Sequence, residues 1–171
     1  MIYASSADRG LIYLLNNWSK IREQVPEATL DVFYGFQVYD VLHGNNPARM
    51  AWKEHILDLM KQDGISYKGR IGHTQLNKEF ATHAIWAYPT DFTEINCISA
   101  MKAQACGSIP VTTNFAALKE TVCCGGIRVD VDITTKEGQE EYFKVLVDTL
   151  KDTKKQEEIR PNMMKLAQEK F

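Results

Sequence analysis

The sequence has no basic excess. Its 20 Lys and Arg face 22 Asp and Glu, a formal charge of −2, which argues against a nucleic-acid binder working by phosphate neutralisation. No apolar run approaches the roughly 20 residues that span a bilayer. The opening MIYASSADRG lacks the basic start and apolar stretch of a secretory leader. Cysteine is scarce: Cys97, Cys106, Cys123 and Cys124, with no Cys-x2-Cys pair to begin a zinc framework. All four therefore read as reduced thiols of a cytoplasmic chain, Cys97 and Cys106 packing as small apolar residues. His43, His55 and His83 show no metal-ligand spacing and read as structural or exposed, so no metal is expected. A Walker A loop and a Gly-x-Gly-x-x-Gly fingerprint are both absent, which argues against dinucleotide binding of the dehydrogenase kind. Internal repeats, low-complexity tracts and interdomain linkers are missing too.

What is present is an ordinary globular composition, 44% apolar and 25% charged over 171 residues. That suffices for one domain, residues 1–171, with a full core. Residues 136–171 hold eight basic and eight acidic side chains, the balanced surface of a solvated helix pair.

Ile2-Tyr3-Ala4 reads as a short apolar strand and Asp8-Arg9-Gly10 as the turn after it. Leu11, Leu14, Leu15, Trp18, Ile21 and Val25 recur at helical spacing until Pro26 stops the helix. Leu30 to Tyr34 is a second strand, closed by Gly35. Residues 36–48, with His43-Gly44-Asn45-Asn46-Pro47, have loop chemistry. Trp52, Ile56, Leu59 and Met60 mark a helix, and Ile65-Ser66-Tyr67 a third strand. Leu76 and Phe80 share a face of a short helix that Thr74 would cap. Ala84 to Tyr88 is a continuous apolar strand of the kind buried on both faces of a parallel sheet, which places Trp86 and Tyr88 in the core. Ile95, Ile98, Met101 and Ala105 mark the next helix, with Gly107 as its C-cap. Ile109 to Thr112 is a strand, Asn114 would cap a helix carrying Leu118 and Val122, and Ile127 to Val131 is the last strand. Thr134 and Glu137 read as a capping box for a helix bearing Tyr142, Phe143, Leu146 and Leu150. Pro161 would begin a final helix. Strands and helices alternate throughout. The fold class is α/β: a parallel sheet of about six strands with helices on both faces, a three-layer arrangement set by right-handed crossovers.

In such sheets ligands bind beyond the carboxyl ends of the strands. Three segments lie there by this reading: Ser5-Ser6-Ala7-Asp8-Arg9-Gly10, Gly69-Arg70-Ile71-Gly72-His73 and Pro89-Thr90-Asp91-Phe92-Thr93-Glu94. Serine hydroxyls, Arg9 and a helix N-terminus make a workable anion site. The plainer alternative is that Asp8 caps the helix and Arg9 is a surface charge. Glu94 could likewise be a helix N-terminal acid favoured by the dipole, and His73 a solvent-facing turn residue.

The stretch AIWAYPTDFTEINCISAMKAQACGSIPV, Ala84 to Val111, resembles the donor-nucleotide half of GT-B-type retaining glycosyltransferases. The likeness rests on Tyr88-Pro89-Thr90, Glu94, Ala103 to Gly107 and Ile109-Pro110-Val111. Ser5 to Leu11 is similar to the family's diphosphate loop, Gly69 to Leu76 to its base-binding loop, and Asn114 to Glu120 to its pre-helical segment. It covers nearly the whole chain and implies a Rossmann-like domain, one half of a GT-B fold. By this resemblance Ser5, Ser6 and Arg9 lie at the donor diphosphate, and Glu94 meets hydroxyls of the donor sugar. Backbone N–H groups of Ile95, Asn96 and Cys97 open the following helix toward phosphate, and Gly72 and His73 flank the base. Arg9 and Glu94 are then the residues that carry the chemistry. A guanidinium offsets charge on the leaving nucleotide, and a carboxylate can accept two sugar hydroxyls.

The chain departs from the pattern twice. Lys102 stands where the family has a second glutamate that accepts ribose hydroxyl bonds, and an ammonium only donates. Ribose lone pairs accept from Lys102, or Lys102 turns to phosphate, or this helix does not hold ribose. Glu94-Ile95-Asn96-Cys97 replaces Glu-Gly-Phe-Gly, so close backbone approach to the donor is harder.

The resemblance implies a transferase of the hexosyltransferase type that moves sugar from a UDP-, GDP- or ADP-linked donor to an acceptor. It implies no cofactor beyond that donor substrate and no metal. A nucleotide-sugar epimerase of the same architecture and a non-catalytic nucleotide-binding module are the alternatives. The length is that of half an enzyme. An acceptor domain is expected outside these residues, and the chain alone is expected to bind donor without turnover.

Overall fold

In the computed structural model, which describes Met1–Phe171, six parallel strands form one sheet. In chain order they are β1 (Ile2–Ala4), β2 (Leu30–Phe33), β3 (Ile65–Gly69), β4 (Ile85–Tyr88), β5 (Ile109–Thr113) and β6 (Ile127–Val129). Their order across the sheet is β3-β2-β1-β4-β5-β6. The α/β expectation of a parallel sheet between two helical layers is therefore what the chain adopts.

The sheet is buried where its sequence is most apolar. Every residue of β1, β4 and β5 is buried, whereas β3 at the edge exposes Ser66, Tyr67 and Lys68. Trp86 and Tyr88 are fully buried and stack with ring centroids 4.9 Å apart, as expected for core positions.

Nine helices cover the sheet. One layer holds α1 (Leu11–Asn16), α2 (Trp18–Gln24), α4 (Pro47–Leu59) and α8 (Lys136–Lys151). The other holds α5 (His73–Thr82), α6 (Ile98–Cys106) and α9 (Thr153–Lys170), with α6 packed between its neighbours. The short α3 (Gln37–His43) and α7 (Leu118–Thr121) fill crossovers. Polar groups fasten the layers: Trp18 Nε1 donates to Asp63 O at 2.7 Å and the Tyr142 hydroxyl to Val111 O at 2.6 Å. Gln104, wholly buried, donates to Ala100 O and Thr121 O and accepts from Cys124 N. No helix is long and apolar enough to cross a membrane.

Several element boundaries differ from the sequence reading, each for a local reason. The helix read from Leu11 to Val25 breaks at Asn17, whose side-chain amide donates to Tyr13 O and to Gln139 on α8. Residues 36–48 are not all loop, because α3 forms there on the exposed flank. α5 starts at His73 directly after Gly72, so Thr74 lies inside it and does not cap. α6 starts at Ile98, leaving Ile95 and Asn96 in the approach. Ala117, not Asn114, precedes α7, and β6 stops at Val129. Pro161 lies inside α9, which begins earlier because Asp152 caps it by accepting from Lys155 N at 3.0 Å.

The cap of α8 is Thr135, whose hydroxyl accepts from Gly138 N at 3.0 Å. Thr134 lies one residue before the cap, and its hydroxyl donates to Asp132 at 2.6 Å. Thr135→Ala is expected to cost about 1 kcal/mol in urea denaturation, while Thr134→Ala leaves the α8 cap intact.

Candidate functional site

The sheet's order reverses between β1 and β4: from β1 the chain winds outward through β2 and β3, then returns to build β4, β5 and β6. Connections on either side lead away from this point, so a crevice opens beyond the strand ends. A cleft of about 560 Å³ lies there. It is lined by the loops after β1, β2, β3 and β4 and by the first turns of α5 and α6.

Glu94 is the buried charge of the site, only 8% exposed. Arg9 Nη1 lies 3.2 and 3.4 Å from its two carboxylate oxygens. The Tyr88 hydroxyl donates to the same carboxylate at 2.6 Å, and Ser5 Oγ donates to Tyr88 Oη at 3.4 Å. The Arg9 guanidinium also lies over the Phe92 ring, 4.0 Å from its centroid. Burial is the largest single influence on Arg9 and works against its charge, but Glu94 together with Tyr88 and Asp8 outweighs it and holds the pKa above the usual value. Burial, then the bond to Glu94, raises the Tyr88 phenol far out of the physiological range, so Tyr88 is a fixed donor.

Local structure explains why these groups meet. Gly10 has φ +103, and a Cβ there would sit 1.9 Å from Pro89 O. Only glycine lets the loop after β1 close onto the end of β4. On the other side Thr90 Oγ accepts from Phe92 N, and Thr113 Oγ donates to Thr90 O. Glu94 N donates to Phe92 O while Glu94 O accepts from Ala117 N, which clamps the glutamate backbone. Ser99 Oγ donates to Ala4 O at 3.1 Å, tying the first turn of α6 to β1.

The cleft brings together Ser5, Ser6, Arg9, Gly72, His73, Glu94, Asn96, Cys97 and Lys102. Ile95 does not join them; it is 94% exposed and precedes the helix it was expected to open. Cys97 sits at the N-cap of α6, and burial pushes its thiol up to about 12, so it is an uncharged packing group at neutral pH. Lys102 Nζ lies 3.1 Å from His73 Nδ1. All four cysteines are free thiols.

Four contributors were given no role in the site from sequence. Arg70 lines the cleft, and its only signal was membership of the loop after β3. Tyr88 had been read as core alone. Phe92 lies under Arg9 by a contact no spacing rule foretells. Tyr34 lines the cleft with φ 118, an outlier for a bulky side chain.

At the opposite pole, Asp31, Glu79 and His83 place ligand-type atoms within 4.8 Å of one another. His83 Nδ1 donates to Glu79 O at 2.7 Å, and its Nε2 is 3.4 Å from Asp31. Lys68 Nζ lies 3.5 Å from the same Asp31 oxygen, which already supplies a cation to this carboxylate.

The strand order, the crevice at its reversal and the helical layers define the class, a Rossmann-like three-layer α/β domain with the fold of one half of GT-B glycosyltransferase structures. Among solved structures the chain is similar to Anabaena HepE in complex with UDP and glucose, with a TM-score of 0.76 and 17% identity over 99% of this chain and 43% of that one. It is similar to a GtfA/B complex (TM-score 0.70, 14% identity, 99% of this chain and 32% of that one). It is also similar to the catalytic domain of starch synthase IV from Arabidopsis thaliana bound to ADP and acarbose (TM-score 0.66, 14% identity, 95% of this chain and 34% of that one). At these identities the likeness is one of fold. The chain spans less than half the length of each of these proteins. No protein-family profile and no curated protein sequence matches it.

Proposed function

We propose that residues 1–171 form the donor-binding domain of a retaining, hexosyltransferase-type glycosyltransferase, with a UDP-, GDP- or ADP-linked sugar in the cleft. The observation that carries this reading is the buried Glu94 carboxylate at the switch point, anchored by Arg9 and Tyr88. Two carboxylate oxygens offer about four lone-pair positions. Arg9 and Tyr88 leave part of that capacity for hydroxyl groups of a sugar. Departure of the nucleotide needs charge stabilisation, which the cleft's cations and the first turns of α5 and α6 would supply. Gly72 would flank the base through its backbone. The acceptor would come from a second domain, so these residues alone hold donor without turnover. No metal or cofactor is invoked. The free thiols support a cytoplasmic setting.

A titration calorimetry panel of UDP, GDP, ADP and UDP-glucose tests the reading. Saturable heat with at least one is the expected result; silence from all four at millimolar concentration would refute it. The second reading, a non-catalytic nucleotide-binding module, draws on Lys102. It predicts a bare nucleotide binding as tightly as its sugar conjugate.

A further inference from the structure

Charge accounting within the cleft separates two kinds of cation. Its formally charged side chains at neutral pH are Arg9, Arg70, Lys102 and Glu94. Arg9 and Glu94 neutralise each other. Arg70 and Lys102 remain and take part in no ion pair. The cleft therefore holds two uncompensated positive charges in a chain whose formal charge is −2. Like charges gathered in a concave site raise its potential and attract an anion.

The side-chain contacts sharpen the distinction. Lys102 is half-buried, and its ammonium touches His73 Nδ1 at 3.1 Å. An ammonium only donates, so Nδ1 is the accepting atom of this contact. Two of the three ammonium protons have no protein acceptor. The Arg70 guanidinium has five donors and no side-chain partner. Both residues line the cleft beside Gly72 and His73. Arg9 is engaged differently: its Nη1 makes both contacts to Glu94 and its plane rests on Phe92, which leaves only Nη2 and Nε without a partner. Swinging Arg9 to a phosphate would strand a carboxylate that is 8% exposed without its cation, and an unpaired buried charge is strongly disfavoured.

We propose that Arg70 and Lys102 hold the diphosphate of the nucleotide sugar, and that Arg9 is a positioning residue for Glu94. A diphosphate esterified at both ends carries two negative charges, matching the two free cations. This assignment rests on reading the cleft as a nucleotide-sugar site, and it moves phosphate recognition away from the residue that the family resemblance implies. The lysine that stands in place of a ribose-binding glutamate thereby gains a task suited to a donor-only group.

The test is calorimetry on the full chain with a nucleoside diphosphate that binds it, the matching nucleoside and the matching nucleotide sugar. Removing either cation, with its charge-assisted hydrogen bonds to phosphate, should weaken binding about 10-fold or more. Arg70→Ala/Lys102→Ala should therefore lose roughly 100-fold for the diphosphate, keep its affinity for the uncharged nucleoside and flatten the salt dependence. Arg9→Ala, which leaves Glu94 without its cation, should weaken the diphosphate far less than the double variant does while erasing the extra affinity of the nucleotide sugar, a split that a purely structural role would not give. Thermal melts check that the variants fold, which is expected for the double variant since neither Arg70 nor Lys102 anchors another side chain by an ion pair; Arg9→Lys, which keeps a cation beside Glu94, replaces Arg9→Ala if the latter melts early. If the wild-type chain binds the diphosphate and the double variant binds it equally well, or if Arg9→Ala alone abolishes it, this assignment is wrong while the site stands. If the wild-type chain binds no nucleoside diphosphate, the reading of the cleft fails first.

Discussion

Replacing Gly10 with alanine is expected to lower stability by about 3 kcal/mol or more and the melting temperature by roughly 6–12 °C. The new Cβ would lie 1.9 Å from Pro89 O and 3.1 Å from Thr90 Cα, all backbone, so no side chain can step aside. The φ of +103 adds strain for any L side chain. Relief requires the loop after β1 to lift off the end of β4. That motion carries Arg9 away from Glu94, so ligand binding should fall together with stability. A variant that melts within about 2 °C of the parent would show that this junction is looser than its geometry implies.

Glu94→Ala is expected to divide the ligands. Affinity for a nucleotide sugar should drop about 10- to 100-fold, as when a pair of hydrogen bonds to a charged group is removed. Affinity for the bare nucleotide should hold or improve, because Arg9 is released as a further free cation. The Tyr88 hydroxyl, 2.6 Å from the carboxylate in the parent, loses its acceptor inside the protein, which costs about 1–3 kcal/mol. Titrating the variant with UDP and UDP-glucose, beside a urea melt, separates the two effects. Equal losses for both ligands would mean that Glu94 only supports the fold.

The fold was legible from sequence because its central strands are buried on both faces and read as unbroken apolar runs, Ala84 to Tyr88 most plainly. Elements without that signature were not. α3 exposes Val41 at 85% and Leu42 at 69%, so no apolar stripe announces it beside the Asn-Asn-Pro signal that follows. Asn17 interrupts α1 and α2 through a bond to α8, 122 positions away, which no local window contains. Pro161 looked like a helix start because the Asp152 cap lies nine residues before it.

The site divides the same way. Nine of the ten residues proposed for it from sequence line one cleft, because strand ends in a parallel sheet converge by topology. Ile95 was read as part of the helix, whereas α6 begins at Ile98 because the approach from Glu94 is longer than spacing indicated. Arg70 was passed over although its loop was recognised, since a lone arginine in a turn shows no partner until the cleft's charges are counted together. Tyr88 was half read: an apolar strand predicts the ring's burial, whereas the bond of its hydroxyl to Glu94 depends on how the chain returns six residues later.

The junction of β1 with β4 bears on when the site comes into being. Arg9 and Glu94 are 85 positions apart, and the two strands meet through one register pair, Ile2 with Trp86. Closing so long a loop is entropically costly and is rewarded only when non-local contacts form. The ligand cleft is therefore completed only when the two halves of the sheet join. A ligand that spans both recognises only the completed sheet, and mass action makes it stabilise that state alone. Occupancy of the cleft is thus also a measure of how much of the chain has finished folding.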